Sequence, residues 1–173
     1  MSDVLEAIKN RRSIRKYKDT MVPDEIIDKI IEAGTYAATG MGKQSPIIIA
    51  VTNKELRDKL SAMNAKFMGA DIDPFYGAPV VMVVLADKKR PTYLYDGSLV
   101  MGNLMNAAHA LGLGSCWIHR AKEEFESPEG KALLKKWGIE GDYEGIGHCI
   151  LGYPEEEALP KAKPRKDDYL YFV

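Results

Sequence analysis

Arg11-Arg12-Ser13-Ile14-Arg15-Lys16-Tyr17-Lys18 sets five cations and a serine hydroxyl within eight residues. A second cationic run, Lys161-Ala162-Lys163-Pro164-Arg165-Lys166, lies close to the C-terminus. A phosphomonoester carries nearly two negative charges at neutral pH. Arginine meets it with two parallel hydrogen bonds, and a serine hydroxyl adds another donor. Arg11, Ser13 and Arg15 alternate by two. On an extended segment they point to one side and Ile14 points into the core. Lys163 and Arg165 have the same spacing, and Pro164 keeps the chain before it extended. Taken alone, each run also reads as a solvated turn or a charged tail. Their shared spacing supports convergence on one phosphate.

The whole-chain charge narrows the choice. The 173 residues carry 24 Lys+Arg against 25 Asp+Glu, a net charge of −1. No polyanion-binding surface is expected, so nucleic acid is not an expected partner and a small anionic ligand is. Gly42-Lys43 resembles the end of a P-loop, but Ala37 and Gln44 occupy positions where that motif needs Gly and Ser or Thr. Gly145-Ile146-Gly147 lacks the third glycine of a dinucleotide-binding turn. His109, His119 and His148 have no metalloprotease spacing and read as ordinary, partly buried histidines. Cys116 and Cys149 read as reduced, half-buried thiols, with no further pair to complete a zinc site. No hydrolytic constellation is visible, so a bound cofactor is expected to carry any chemistry.

The elements that must position these residues follow from periodicity. Asp3 and Glu6 have capping-box spacing ahead of a Val4, Leu5 and Ile8 stripe. Pro23-Asp24-Glu25 opens a second helix with Ile26, Ile27, Ile30 and Ile31 on one face, closing near Gly34. Leu56, Leu60, Met63 and Phe67 give a third. Residues 94–111 are apolar almost all round, as in a central or interface helix. Ser127-Pro128-Glu129 opens another. Strands are expected at 47–52, 80–86, 115–119 and 145–152, the second covered on both faces. Asp167 to Val173 is apolar enough to be an added strand. The longest apolar run is far short of a membrane span. With acidic residues near the N-terminus in place of a signal sequence, a cytoplasmic protein is expected, with no membrane partner.

With these stretches in place, the chain resembles the FMN-dependent nitroreductase family. Arg11 to Tyr17 is similar to that family's RRSxRxF/Y segment, which follows a first helix. Thr39-Gly40-Met41-Gly42-Lys43-Gln44-Ser45-Pro46 is similar to its SxxNxQPW loop, with Gly42 in place of Asn and Ser45-Pro46 in place of Pro-Trp. Leu111 to Ile118 resembles the segment lining the flavin ring. Gly152-Tyr153-Pro154, then Lys163-Pro164-Arg165, resemble its GYP and KPR. The resemblance implies phosphate ligands Arg11, Ser13, Arg15, Lys163 and Arg165, with Arg12 nearer the ribityl or ring end. It implies Lys43 or Gln44 at the pyrimidine edge and Asn64 near the ring. Trp117, Ile118, His119 and Arg120 would line the ring.

The fold implied is α+β, a single domain over 1–173 with a central mixed β-sheet flanked by helices. A tail over 153–173 would extend onto a dimer partner. The implied function is an FMN-dependent oxidoreductase, a homodimer with FMN at the interface. NADH or NADPH would be a transient donor, and a nitroaromatic, quinone or similar small molecule the acceptor. Hydride transfer through flavin N5 would leave no side chain as an obligatory acid or base. Dehalogenation or flavin fragmentation on the same fold, and a non-catalytic flavin- or nucleic-acid-binding module, are the rival readings.

Overall fold

A computed structural model describes residues 4–155 and 160–173. Its elements are α1 (Val4–Asn10), α2 (Asp24–Thr35), β1 (Pro46–Val51), α3 (Lys54–Met68), β2 (Val80–Asp87), α4 (Tyr93–Ala110), β3 (Gly114–Ile118), α5 (Ala121–Glu126), α6 (Pro128–Lys136) and β4 (Tyr143–Gly152). The expected cap at Asp3 lies outside the described residues. Local chemistry sets several helix starts. Pro23 precedes α2 with Asp24 and Glu25 in its first turn. The Asn53 side chain accepts from Leu56 N to start α3, and Ser127 Oγ accepts from Gly130 N to start α6. The short helix α5 carries no strong start signal and was not expected.

The strands lie in the order β1-β2-β4-β3 and every pair is antiparallel. The sheet's parallel contribution is one bridge, Ser13 to Ser115, where the cationic segment lies along the outer edge of β3. Residues 80–86 are fully buried, as the apolar run requires. Alternation splits the core in two. Val81, Val83, Leu85 and Ile150 face α3, α5 and α6, whereas Met82, Val84, Cys149 and Leu151 face α2 and α4. The result is helices on both faces of one sheet.

Four expectations need correction. The β-branched run at 47–52 reads as a buried strand, but β1 is an edge strand and is only half covered, with Ala50 exposed. The stripe on α1 faces outward: Ala7 is buried, while Val4, Leu5 and Ile8 are exposed. Residues 167–173 form a short 3₁₀ turn at Asp167–Tyr169 and then irregular chain, in no strand ladder of the described residues. Both cysteines are free and buried, rather than half buried. No helix among the described residues is long and apolar enough to cross a membrane.

Candidate functional site

The segment after α1 is held extended at two points. Ile14 N donates to Ser115 O at 3.0 Å, and Lys18 N donates to Tyr153 O at 2.8 Å. Tyr17 OH also donates to Ile14 O at 2.7 Å, and Ile14 is buried in the core. This sequence of anchors turns Arg11, Arg12 and Ser13 toward the C-terminal run. Together with Lys161, Lys163 and Arg165 they line a cavity of about 580 Å³. Arg11 Nη1 is buried at this cavity and has no hydrogen-bond partner among the described residues. An orphaned buried guanidinium N–H is rare, because its lost hydration goes uncompensated. A dianionic oxygen group in the cavity would supply what it lacks. A fork-shaped cation, a hydroxyl and further cations around one space form a donor set that fits a phosphomonoester.

Arg12 has a different task. Its Nη1 donates to Lys9 O and Arg11 O, each at 2.7 Å, closing the end of α1. It stands between the first cavity and a second of about 300 Å³, which His109 and Asn10 also line. Burial, and then the nearby Arg11 and Arg12 charges, hold the His109 imidazole below the usual histidine range.

Residues at the far end of β3 form a second cluster. Asn64, buried on α3, donates from Nδ2 to His119 O at 2.7 Å and to Glu124 Oε1. Arg120 follows in the left-handed region with φ 77°, and its carbonyl accepts from Glu124 N. Beside this cluster is the turn carrying Phe75 and Tyr76. Buried Arg57 anchors it, donating to Asp73 Oδ2 at 2.6 Å and to Ala78 O at 3.0 Å. Burial works against the charged Asp73. Hydrogen bonds from Arg57, Ser61, Gly77 and Phe75 outweigh it and hold this carboxyl below the usual range. Arg15 lies over the Tyr76 ring at 5.9 Å. Ser115 and His119 are four residues apart on an extended chain, so the anion cavity and this cluster stand roughly 13 Å apart along one strand edge.

A third part lies elsewhere. Asp96, buried near the start of α4, accepts from Gly40 N at 2.9 Å, Ser45 Oγ at 2.7 Å and Thr92 Oγ1 at 3.1 Å. These bonds fasten the loop that carries Lys43 and Gln44, both exposed. Gln44 has φ 50° and lines an apolar cleft of about 330 Å³ with Ile31, Ala37, Pro46 and Val100. The loop enters β1, whose first residue aligns with Ala86 and through it with Glu144, whereas Ser115 aligns with Leu151. The two lie at opposite edges and opposite ends of the sheet. Three strand spacings give roughly 14 Å, and the length of β4 adds about 20 Å.

A model described as the nitroreductase family matches residues 8–73 and 72–153 of the chain. The chain belongs to the nitroreductase family. A Bacteroides fragilis nitroreductase solved with bound FMN superposes with a TM-score of 0.90 over 100% of both chains, at 30% identity. A Desulfitobacterium hafniense nitroreductase with bound FMN gives 0.86 over 100% of both chains at 27% identity. A Methanothermobacter thermautotrophicus protein, provisionally named an NADH dehydrogenase/NAD(P)H nitroreductase, is 40% identical over 160 residues, covering 89% of this chain and 78% of that one.

In this nitroreductase-family chain the expected residues divide into groups. Arg11, Ser13, Lys163 and Arg165 meet at one cavity, with Arg12 on its wall. Arg15 does not line it, and lies instead beside Tyr76. Asn64, His119 and Arg120 form the second cluster. Trp117 and Ile118 cannot share one face. Successive strand residues alternate, so Trp117 packs toward α2 and α4, and Ile118 toward α3 and α5. Lys43 and Gln44 belong to the third part. Sequence reasoning did not single out Glu124, His148, Asp96 or His109 as parts of the site. Asp96 sits in the first turn of a helix and Glu124 in an acidic stretch, where a solvated carboxylate is the ordinary expectation. His148 falls in a buried strand at an inward position, the one visible signal that it would be enclosed.

Proposed function

We propose that this protein binds FMN, with the flavin phosphate between Arg11, Ser13, Lys163 and Arg165, and acts as an NAD(P)H-dependent oxidoreductase. One observation carries the reading. Two cationic runs about 150 residues apart in sequence line one cavity, where a buried Arg11 nitrogen has no protein partner. The FMN in the two solved relatives supports the choice of ligand. FMN, when bound, would supply two-electron transfer through its N5. The chain's own residues would bind and orient it. Arg11, Lys163 and Arg165 would neutralise the phosphate. Asn64, His119 and Arg120 would meet the ring end, about one strand-length away, and Arg15 would place its charge beside them. NADH or NADPH and an electron-poor acceptor, such as a nitroaromatic or quinone, would use one cleft in turn, giving ping-pong kinetics.

The same reading takes the active form to be a homodimer. Lys43 and Gln44 lie too far from the anion cavity within one chain to meet the same flavin. The exposed Tyr95 and Leu99 on α4, and the exposed apolar residues of α1 and the tail, are surfaces a second copy could cover.

The test is an anaerobic visible spectrum of the purified protein, taken after NADH and again after NADPH. A yellow protein bleached by one of them, and recoloured by a nitroaromatic or quinone, is expected. A yellow protein that neither donor bleaches would move the reading to a specialised flavin chemistry. A protein that FMN cannot colour would end it.

A further inference from the structure

Behind the end of β3 lies a buried acid–base pair that the function above does not use. Glu124 on α5 and His148 on β4 are both 0% exposed. His148 Nε2 stands 3.2 Å from Glu124 Oε2. Apart from this contact, neither imidazole nitrogen nor that oxygen has a hydrogen-bond partner among the described residues. The rings of Phe75 and Phe125 flank the imidazole at 5.1 and 6.4 Å. Each group is the other's only polar neighbour at these atoms among the described residues, so removing either one alone would strand the other in apolar surroundings.

The pair reaches the site through Asn64. Glu124 Oε1 accepts from Asn64 Nδ2, which also donates to His119 O at 2.7 Å. Both amide hydrogens are thus committed to two acceptors on different elements, and a flip of the amide would set oxygen against oxygen at both. The turn held in this way needs holding. Arg120 has φ 77°, a conformation that residues other than glycine seldom adopt unless their surroundings impose it. Glu124 acts on that turn twice, because its own N–H donates to Arg120 O at 3.1 Å.

We propose that Glu124 and His148 are positioning residues. The pair locks the Asn64 amide so that it pins the His119–Arg120 turn and leaves only an acceptor oxygen free to meet a ligand. This rests on the reading of the second cluster as the ring end of an FMN site. The consequence is that the ring end can be disabled from behind while the anion cavity stays intact.

The experiment compares the wild-type protein with two variants. Glu124→Gln keeps an oxygen for Asn64 and an N–H for His148. Glu124→Leu combined with His148→Phe replaces the pair by apolar side chains, a change that commonly leaves a fold intact. Hydrogen exchange of the Asn64 side-chain amide is followed by NMR, and FMN and inorganic phosphate are titrated separately. The double variant is expected to exchange that amide at least tenfold faster and to bind FMN at least tenfold more weakly, with phosphate affinity unchanged. Glu124→Gln is expected to stay close to wild type in all three. Unchanged amide exchange or unchanged FMN affinity in the double variant would overturn the proposal, and so would an equal loss of phosphate affinity. Should the double variant not fold, Glu124→Leu alone removes the acceptor that locks Asn64, with faster amide exchange, a tenfold FMN loss and unchanged phosphate binding expected, and no FMN loss overturning it. A wild-type protein that takes no FMN ends the functional reading. The amide exchange then decides the positioning claim by itself.

Discussion

Arg11 is the residue on which the anion cavity turns. Its buried Nη1 lacks a partner among the described residues, while Arg165 across the cavity is exposed. Charge-assisted hydrogen bonds to a desolvated group contribute more than those at an open rim. Arg11→Ala should therefore weaken FMN binding by about 1.5–3 kcal/mol, roughly 10- to 150-fold. Arg165→Ala should weaken it less. Arg15→Ala should leave the affinity for inorganic phosphate unchanged, because that guanidinium lies over Tyr76 and outside the cavity. Titration of each variant with phosphate and with FMN separates these cases. An Arg15 variant that lost phosphate affinity as Arg11→Ala does would return Arg15 to the clamp.

At the scale of elements, two contacts decide where loops and strands sit. Burial works against the Asp96 charge, but bonds from Ser45, Gly40 and Thr92 prevail and hold its carboxyl below the usual range. A depressed carboxyl contributes stability that is present above its unfolded value, about 3.9, and is lost as pH falls through the folded value. Asp96→Asn should cost about 1–2 kcal/mol near neutral pH, and should flatten the acid limb of a plot of stability against pH. An acid limb identical to wild type would mean that Asp96 does not anchor the loop. The second contact is between β4 and β3. A Cβ on Gly147 would lie 2.3 Å from Trp117 Nε1, and that stiff ring has the sheet beneath it. Gly147→Ala should cost about 1–3 kcal/mol and shift the tryptophan emission to the red as the ring is displaced. Unchanged emission and melting would mean that the indole has room to move.

At the scale of the molecule, the exposed apolar surface is unevenly spread. Parts of it lie on α1, on the outward side of α4 and at Leu170 to Val173, with a further group from Phe67 to Tyr76. The proposed dimer would cover the first three and bring the loop of Lys43 and Gln44 toward a partner's anion cavity. Sedimentation equilibrium should therefore give twice the 19.3 kDa chain mass. Removing residues 167–173 should weaken self-association and FMN retention together. A monomer that holds FMN as firmly as the intact protein would defeat this arrangement.

The sequence by itself determined the local rules. The period-two spacing of Arg11 and Ser13 ahead of a buried Ile14, the proline and acidic start of α2, and the apolar run of β2 all depend on neighbours along the chain. So did the family, since its motifs occur in order from Arg11 to Arg165. Only the tertiary structure decided which distant groups meet. It brought Lys163 and Arg165 to Arg11, but took Arg15 to Tyr76 because the extended segment moves on by about 3.3 Å per residue. It set Trp117 and Ile118 on opposite faces, because a strand cannot present neighbouring residues together. Glu124, His148 and Asp96 each read locally as solvated or unremarkable side chains. Their burial depends on what packs over them from helices and strands far away in sequence.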